Sequence, residues 1–519
     1  MLPPFKNEPL TDFSDPKNRS AFQTALDKVK SEIGQTYPLV IGGERIELED
    51  TFASINPARP AEALGYFARG NALHADQAVE RATEAFQTWR HVPPAERARY
   101  LLRAAAELRR RKHEFSAVMV LEVGKSWVEA DADTAETIDF LEYYARQMMR
   151  LADSSHLLVP YPPEQLDLQY IPLGVGVVIP PWNFPAAITT GMTSAALVAG
   201  NTVNLKPASQ SPWIAYKICE LFWESGLPDG VLNFVTGSGA VIGSRMVEHP
   251  HTRFIAFTGS REVGIEIFEK ASKVHPGQLW LKRTVLEMGG KDAVVVDETA
   301  DLEAAAQGIV MSGFGFQGQK CSAGSRAIIV DAVYDQVAAR VVELTKNLTV
   351  GATDESPDVY MGPVIDKNAM STIMNYIEIG MQEGTLLTGG KRIETPEGGY
   401  FIEPTIFGDV DRNARIAQEE IFGPVVALIR AEDFDDAIDI ANSTEYGLTG
   451  AVYSRNRARL EQARRDFHVG NLYFNRKCTG ALVGVHPFGG FNMSGTDSKA
   501  GGPDYLLLFT QAKSIAEKL

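Results

Sequence analysis

Residues 168–205, LQYIPLGVGVVIPPWNFPAAITTGMTSAALVAGNTVNL, contain no charged side chain. The segment is long enough to span a membrane as a helix. Four prolines interrupt it, at positions 172, 180, 181 and 185. Because proline breaks a helix interior, we expect instead a buried strand at residues 174–179, a loop, a helix, and a second strand at residues 202–205.

The same alternation of short apolar runs and helix-like segments continues toward the C-terminus. The runs at residues 231–235 and 254–257 are the next expected strands. A second series follows, with strands at 293–296 and 327–330 and helices from 302 and 333. This order is typical of parallel, doubly wound α/β sheets, which bind ligands beyond the carboxyl ends of their strands. The sequence therefore predicts two α/β units.

The N-terminal part of the chain is predicted to differ from these units. Residues 1–35 are polar and helix-prone without a clear core face, so we expect an extension. Residues 37–46 predict a hairpin that turns at Gly42-Gly43. Apolar residues recur at helical spacing from 75 to 90 and, after Pro94, to about 151, with a break at Gly124. The basic run at residues 109–112 is expected to be a solvated helix face.

The C-terminus carries an apolar run, residues 505–509, that does not suit a free tail. Residues 157–171 contain three prolines and then alternating Leu166, Leu168 and Tyr170, which predicts a strand that pairs with residues 504–518. Because an exposed edge strand is a liability, we expect the resulting arm to be covered by a second subunit.

Composition excludes several classes of function. The formal net charge is −16, and an acidic chain is a poor nucleic-acid binder. Three cysteines do not make a disulfide framework, which favours a reducing compartment, and the first twenty residues lack a signal-peptide core. No HExxH motif occurs, and His249 and His251 lack further metal ligands nearby. We expect a cytoplasmic protein without metal, membrane or nucleic-acid partners.

Three residues carry the candidate chemistry. Cys321 follows a glycine-rich approach, and Lys320 beside it would favour the thiolate, although an ordinary loop cysteine is the alternative. Glu287 follows a strand-like run and precedes two glycines, so it is either a general base or a surface acid. Asn183 lies in a loop between a strand and a helix, where its amide either meets an oxyanion or forms a turn.

Two segments give weak sequence signals for a phosphate-binding site. Gly237-Ser238-Gly239 with Gly243 follows a strand but does not space as the dinucleotide fingerprint. Thr258-Gly259-Ser260 with Gly264 follows the next strand and opens a helix, whose N-terminus favours an anion.

Together these motifs resemble the aldehyde dehydrogenase superfamily over roughly residues 36–519. Seven segments carry the resemblance, in order: Pro181-Trp182-Asn183-Phe184-Pro185, Lys206-Pro207-Ala208-Ser209, Phe257-Thr258-Gly259-Ser260 with Gly264, Glu287-Met288-Gly289-Gly290-Lys291, Gly318-Gln319-Lys320-Cys321, Glu419-Glu420-Ile421-Phe422-Gly423-Pro424, and Pro487-Phe488-Gly489-Gly490 with Ser494-Gly495.

The resemblance implies the catalytic and cofactor residues. Cys321 would be the nucleophile, Asn183 would hold the oxyanion and Glu287 would activate water. NAD would be the cofactor, and NADP is also admitted because Ser209 stands where many NAD-preferring relatives carry glutamate. The implied cofactor-binding residues are Pro181, Trp182, Lys206, Ser209, Gly239, Gly243, Thr258, Gly259, Ser260, Gly264, Glu420 and Phe422.

Within the superfamily, Lys320, Ser322 and the segments Asn475-Arg476-Lys477 and Thr479-Gly480-Ala481 resemble the free-standing bacterial L-glutamate γ-semialdehyde dehydrogenases. This resemblance implies oxidation of that semialdehyde in proline degradation. The implied substrate residues are Glu136, Phe184, Lys320, Ser322, Gly480, Ala481 and Phe488. Another semialdehyde such as succinate semialdehyde, a thiol acyltransferase or hydrolase reaction, and a non-enzymatic role are the alternatives.

The resemblance also implies a division of the chain and a homo-oligomer built from dimers. The expected parts are an extension at 1–35, an NAD-binding domain at 36–157 and 171–286, a catalytic domain at 287–473, an oligomerisation arm at 158–170 and 503–519, and a substrate-anchor and return segment at 474–502.

Overall fold

A computed structural model describes residues 3–153 and 155–519. Met1 and Leu2, which begin the predicted extension, lie outside the described residues, as does Ser154. Within the described ranges no helix is both long and apolar enough to cross a membrane.

The N-terminal helix α1 (Pro16–Lys30) begins after Asp15, whose side chain accepts a hydrogen bond from the Lys17 N–H. The prediction that this region lacks a core face was wrong. Phe22, Leu26 and Val29 are fully buried, because their i, i+4, i+7 spacing puts them on one side of the helix. The stripe was hard to recognise because most of the residues between its members are polar or charged.

The next elements form a small sheet, a hairpin and four helices. Strand β2 pairs antiparallel with β3 through Gly42-Gly43, as predicted, and Gly124 ends α4 in the left-handed conformation. The bounds are β1 (Gln35–Tyr37), β2 (Leu39–Ile41), β3 (Glu44–Ile46), β4 (Thr51–Asn56), β5 (Arg59–Ala68), α2 (Ala72–Trp89), α3 (Pro94–Arg110), α4 (Lys112–Val123) and α5 (Trp127–Leu151).

The uncharged segment at residues 168–205 forms the strand–loop–helix–strand unit that its prolines predicted. It lies in a seven-stranded sheet with the order β11-β10-β7-β8-β9-β2-β3, whose strands from β11 to β9 are parallel. The bounds are β6 (Glu164–Pro172), β7 (Val175–Ile179), α6 (Ala187–Val198), β8 (Thr202–Leu205), α7 (Pro212–Glu224), β9 (Leu232–Phe234), α8 (Ser244–Glu248), β10 (Thr252–Thr258), α9 (Arg261–Ser272) and β11 (Arg283–Glu287).

The chain reverses its direction of winding in this sheet beside β7. Strands β8 and β9 follow on one side of β7, whereas β10 and β11 lie on the other side. The loops that leave β7 and β10 at their carboxyl ends therefore diverge and open a crevice, which is where ligands bind in such sheets.

A second seven-stranded sheet, with the order β14-β17-β18-β13-β12-β20-β21, is parallel except for β14 and confirms the predicted second α/β unit. The bounds are β12 (Ala293–Val296), α10 (Leu302–Phe314), β13 (Arg326–Val330), α11 (Asp331–Lys346), α12 (Lys367–Glu383), β14 (Thr385–Thr388), β15 (Arg392–Ile393), β16 (Phe401–Ile402), β17 (Thr405–Gly408), α13 (Arg415–Gln418), β18 (Val425–Ala431), α14 (Phe434–Asn442), β19 (Tyr446–Gly447), β20 (Thr449–Tyr453), α15 (Arg457–Asp466), β21 (Asn471–Phe474) and β22 (Phe491–Asn492).

The predicted arm is a two-stranded antiparallel ribbon of β6 and β23 (Thr510–Lys518). The run at 505–509 is not part of it. This run forms a short 3-10 helix in which Tyr505, Leu506 and Phe509 are buried in the main core, which explains its apolar character.

Candidate active site

The carboxyl edge of the first sheet forms a cleft of about 470 Å³ between the loops that follow β7 and β10. Eight residues predicted for the cofactor or for catalysis line it, together with Cys321: Pro181, Trp182, Asn183, Thr258, Gly259, Ser260, Glu420 and Phe422. The cleft is lined as well by residues that were not predicted: Ile179, Pro180, Ala208, Gln210, Phe257, Val263, Met288 and Gly289.

Two features make this cleft suitable for a phosphorylated cofactor. Ser260 is the N-cap of α9, and its hydroxyl accepts a hydrogen bond from the Val263 N–H at 3.5 Å. The other N–H groups of the first turn and the helix dipole favour an anion there. The Trp182 and Phe422 rings meet edge to face at a centroid distance of 5.5 Å and form an apolar wall.

Glu420 reaches the cleft from the second sheet. Its Oε1 atom accepts a hydrogen bond from the Gly290 N–H at 3.0 Å, and burial raises the pKa of its carboxyl to about 7. A Cβ atom at residue 289 would lie 2.1 Å from Glu420 Oε2, so only glycine lets the backbone approach this closely.

The remaining predicted cofactor residues lie beside the cleft rather than in its lining. Lys206 is buried, its Nζ donates to the Pro207 carbonyl at 3.1 Å, and burial lowers the pKa of its ammonium to about 8. Gly243 packs against the Lys206 side chain, and Gly264 packs against Met288. Ser209 is exposed between two lining residues, and Gly239 is exposed with open space around it.

A second cavity, of about 110 Å³, meets the cleft at Thr258, Met288 and Cys321, which line both. Six of the seven predicted substrate residues line this cavity: Glu136, Phe184, Ser322, Gly480, Ala481 and Phe488. Burial and the nearby Asp133 carboxylate raise the pKa of Glu136 to about 8. We call residues 480–486 the anchor loop.

Cys321 ends the catalytic loop, residues 315–321, and is half-buried at the junction of the two spaces. Burial and the Asp292 and Glu420 carboxylates raise the pKa of its thiol, whereas a backbone hydrogen bond from Ser322 lowers it. The resting thiol is therefore protonated at neutral pH. Asn183 Nδ2 donates to the Gln319 carbonyl at 3.0 Å, which places the amide beside this loop.

The expected effect of Lys320 on the thiol was wrong. Its ammonium is paired with Glu129, with Nζ–Oε distances of 2.7 and 2.8 Å, and Lys320 does not line the cavity. The largest influences on the thiol pKa are burial and the Asp292, Glu420 and Glu287 carboxylates, which raise it, so the thiolate is not favoured. The pair instead ties the catalytic loop to the first turn of α5.

Glu287 lies at the carboxyl end of β11 and faces the same cavity. The Ser498 hydroxyl donates to its Oε1 atom, while Oε2 is buried without a hydrogen-bond partner among the residues that the structure describes. Burial raises the pKa of this carboxyl to about 8. The segment that carries Ser498 is fixed to β11, because the Met288 N–H donates to the Ser494 carbonyl at 2.8 Å.

The sequence reasoning missed a buried ion pair behind the cavity wall. Lys125 Nζ lies 2.8 Å from Asp133 Oδ2, both side chains are fully buried, and the same ammonium lies 3.9 Å from the Phe184 ring centroid. A signal was present, since α5 carries many acids for a mostly buried helix, at positions 129, 131, 133, 136 and 139. Other missed lining residues are Phe140, Ile188, Met192, Leu482, Val483, His486, Ala500 and Tyr505.

Comparisons with known proteins agree with this geometry. The family model that matches residues 46–515 is described as the aldehyde dehydrogenase family. The chain is 64% identical over 520 residues to a Geobacillus kaustophilus protein named 1-pyrroline-5-carboxylate dehydrogenase, with 100% of each covered. It is 59% identical over 517 residues to 1-pyrroline-5-carboxylate dehydrogenase 2 of Bacillus subtilis, again with 100% of each covered.

Two solved structures are similar over the whole chain. One is 1-pyrroline-5-carboxylate dehydrogenase from Thermus with bound NAD, with a TM-score of 0.98, 52% identity and 100% of both chains covered. The other is proline utilization A from Bdellovibrio bacteriovorus, with a TM-score of 0.97 and 44% identity, covering 99% of this chain and 53% of that one.

Proposed function

The chain belongs to the aldehyde dehydrogenase family, and we propose that it oxidises L-glutamate γ-semialdehyde, which is in equilibrium with 1-pyrroline-5-carboxylate, to L-glutamate with NAD as the cofactor. This reaction is the second step of proline degradation. The observation that carries the proposal is the position of Cys321, at the point where a cofactor-sized cleft meets a separate apolar cavity.

The polar groups in and beside the cleft fit NAD. The α9 N-terminus at Ser260 would bind a phosphate, and Lys206 and Glu420 would bind ribose hydroxyls. When bound, NAD supplies the acceptor for the hydride that the substrate carbon loses. The carboxyl of Glu420 is held by the Gly290 N–H at 3.0 Å, so its second oxygen remains for a hydroxyl.

Acylation is the work of Cys321 and Asn183. The Cys321 sulfur attacks the aldehyde carbon, its S–H proton passes to solvent water, and the carbonyl oxygen becomes the oxyanion of a thiohemiacetal. Asn183 uses one N–H on the Gln319 carbonyl, which leaves its second N–H for this oxyanion. Loss of hydride from the same carbon leaves a thioester on Cys321.

Deacylation is the work of Glu287. Its Oε2 atom has no hydrogen-bond partner in the part of the chain that the structure describes and can take a proton from water. The water oxygen then bonds to the thioester carbon, the carbon–sulfur bond breaks and L-glutamate leaves. Ser498 holds Oε1 during this step, so the carboxylate keeps one oxygen for water.

The end of the cavity away from Cys321 would recognise the substrate. The backbone N–H groups of Gly480 and Ala481 and the Ser322 hydroxyl would bind the α-carboxylate. The rings of Phe184 and Phe488 would enclose the aliphatic middle of the substrate. A plain aldehyde would leave these donors unpaired, at a cost of about 1–3 kcal/mol per group.

The same proposal includes the organisation of the chain. Residues 36–157 and 171–286 would form the NAD-binding domain, 287–473 the catalytic domain, and 474–502 the substrate-anchor and return segment. The β6–β23 ribbon would join copies into a homo-oligomer built from dimers. The three free cysteines suit a reducing compartment, the cytoplasm.

An aldehyde panel tests the proposal. Initial rates of NADH formation are measured with glutamate semialdehyde, succinate semialdehyde, butanal and propanal, with Cys321→Ala as the inactive control. We expect kcat/KM for glutamate semialdehyde to exceed that for butanal by about 10²-fold or more. A higher kcat/KM for succinate semialdehyde would favour that substrate instead, and equal values for butanal and glutamate semialdehyde would exclude the substrate proposed here.

A further inference from the structure

The N-terminal strap, residues 3–12, lies along α5 without regular secondary structure of its own. Two buried carboxylates of α5 hold it. Asp131 accepts hydrogen bonds from the Thr11 N–H at 2.7 Å and from the Thr11 hydroxyl at 2.6 Å. Asp139 accepts a hydrogen bond from the Glu8 N–H at 2.7 Å.

Part of the basic run at 109–112 also holds the strap. Arg109 pairs with Glu8 at 2.7 Å, and Lys112 Nζ donates to the Pro9 carbonyl at 2.9 Å and pairs with Asp131 at 2.9 Å. The prediction that this run is only a solvated face was therefore wrong for these two residues, which are used to fix the strap in place.

Asn7 makes the contact that bears on the active site. Its Nδ2 atom donates to Asp139 Oδ2 at 2.8 Å and to the Val483 carbonyl at 3.0 Å. Asp139 and Val483 are both buried and belong to different parts of the chain. A single side-chain amide therefore joins α5 to the anchor loop.

These two elements both line the substrate cavity. From α5 come Glu136 and Phe140, one turn before Asp139 and directly after it. From the anchor loop come Gly480, Ala481 and Val483. Asn7 bridges these two elements with hydrogen bonds, and Tyr143 of α5 also lies directly against Gly484 of the anchor loop.

Phe5 supports the same bridge. Its ring packs edge to face on Tyr143 of α5, with centroids 5.2 Å apart. It also lies against the anchor loop, since a Cβ atom at Gly484 would approach Phe5 to 3.1 Å. The strap therefore contacts both elements with an apolar group as well as with a polar one.

We propose that Asn7 is a positioning residue for the carboxylate end of the substrate, because it fixes the anchor loop against α5. The inference rests on the proposed reaction with glutamate semialdehyde. The aldehyde end is bound by Cys321 and Asn183, which other elements carry, so the strap acts on the recognition of the α-carboxylate and not on the chemistry.

The decisive variant is Asn7→Ala, with Asn18→Ala as the matched control. Asn18 lies in the same N-terminal region, and its side chain donates to the Asp12 carbonyl at 2.9 Å instead. For Asn7→Ala we expect KM for glutamate semialdehyde to rise about tenfold, which corresponds to about 1.4 kcal/mol, with kcat nearly unchanged. The constants for butanal and for NAD should stay at their wild-type values in both variants.

A second pair of variants separates positioning from stability. Asn7→Asp places a carboxylate against Asp139 and the Val483 carbonyl, and should lower the melting temperature and raise KM further. Adding Asp139→Asn gives a donor to the introduced carboxylate and keeps an acceptor for the Glu8 N–H, but leaves the Val483 carbonyl without its partner. We expect the double variant to recover the melting temperature while KM for glutamate semialdehyde stays high.

The outcomes distinguish this inference from the proposed reaction. If the wild-type enzyme does not prefer glutamate semialdehyde to butanal, the reaction proposed above fails. If the wild-type enzyme has that preference and Asn7→Ala retains it in full, the positioning role is overturned. An equal loss of activity toward both aldehydes would also overturn it, because it would indicate a general effect on folding.

Discussion

Glu287 gives the active site a pH dependence that can be measured. Burial raises the pKa of its carboxyl to about 8, whereas the Ser498 hydroxyl and the Lys499 ammonium lower it. Only the ionised carboxylate accepts a proton from water, so the rate of deacylation should rise as the pH rises through this value. Steady-state rates at saturating substrates, measured from about pH 6 to about pH 9.5, check this expectation where deacylation limits turnover.

Variants of Ser498 and Glu287 test the assignment. Ser498→Ala removes a donor that favours the ionised form, so the rise should move to higher pH, while Ser498→Thr keeps the hydroxyl and should retain the wild-type midpoint. Glu287→Gln should lower turnover by about 10²–10⁴-fold and flatten the profile. An unchanged midpoint in Ser498→Ala would contradict the role given to this hydrogen bond.

Ser209 bears on the choice between NAD and NADP. It is exposed between Ala208 and Gln210, which line the cofactor cleft. A glutamate there would repel a ribose 2′-phosphate, and a like-charge contact costs several kcal/mol. We therefore expect Ser209→Glu to raise the ratio of kcat/KM for NAD over NADP at least about tenfold. A ratio equal to that of the wild type would mean that the ribose lies away from this residue.

The anchor loop is the element to which we assign the substrate preference. Gly480 has a φ of +78°, and the atoms nearest to a Cβ there belong to the flexible Lys477 and Arg476 side chains, the first at 3.4 Å. A valine therefore has space for its side chain, but a β-branched residue rarely adopts this positive φ. The strained loop would change conformation and move its N–H groups. Gly480→Val should erase most of the preference for glutamate semialdehyde while activity on butanal remains.

A matched control separates strain in this loop from strain in general. Gly398 has a φ of +72° with nothing within 4 Å of an added Cβ, and it lies outside the cavity. Gly398→Val should leave the ratio of kcat/KM values for the two aldehydes unchanged. If it alters that ratio as much as Gly480→Val does, the anchor loop has no special role.

The strands and helices differ in how well the sequence predicted them. Strands such as β8 and β12 were placed at their observed bounds, because short apolar runs between turn residues have one interpretation in an α/β pattern. The positions of Asn183 and Glu287 followed from the motifs at the ends of β7 and β11, and that of Cys321 followed from the glycine-rich segment before it. Helix α1 was misread because its partner is α4, some eighty residues away in sequence.

Part of the cavity lining was not visible for the same reason. Phe140, His486 and Tyr505 line it from three distant segments, and no local pattern indicates that they meet. Asn7 is a single amide in a polar terminus, and its role follows only from the buried Asp139 and Val483 that it contacts. Motifs identify groups that act on the substrate, whereas the residues that position those groups emerge from tertiary packing.

At the scale of the whole molecule, the β6–β23 ribbon is the element through which we expect the chain to associate with a second copy. It pairs Glu164–Pro172 with Thr510–Lys518 in a sheet of only two strands, which is marginally stable by itself in water. Leu166, Leu168 and Tyr170 alternate along β6 and therefore share one face, while Gln165 and Gln169 lie on the other. A second copy of the chain would cover the apolar face and the free strand edges.

A charge on the apolar face should therefore weaken self-association. Leu168→Lys would bury an unpaired ammonium, which costs several kcal/mol, and about 1.4 kcal/mol already weakens association tenfold. The control is Gln169→Lys, which adds the same charge one residue further on the exposed face. Sedimentation velocity over a range of concentrations should give a smaller species for Leu168→Lys and the wild-type species for Gln169→Lys.

Because the active-site cavities contain no ribbon residue, each dissociated subunit should keep its preference among aldehydes. If the wild-type protein is a monomer, or if the two variants behave identically, the apolar face of the ribbon does not mediate self-association.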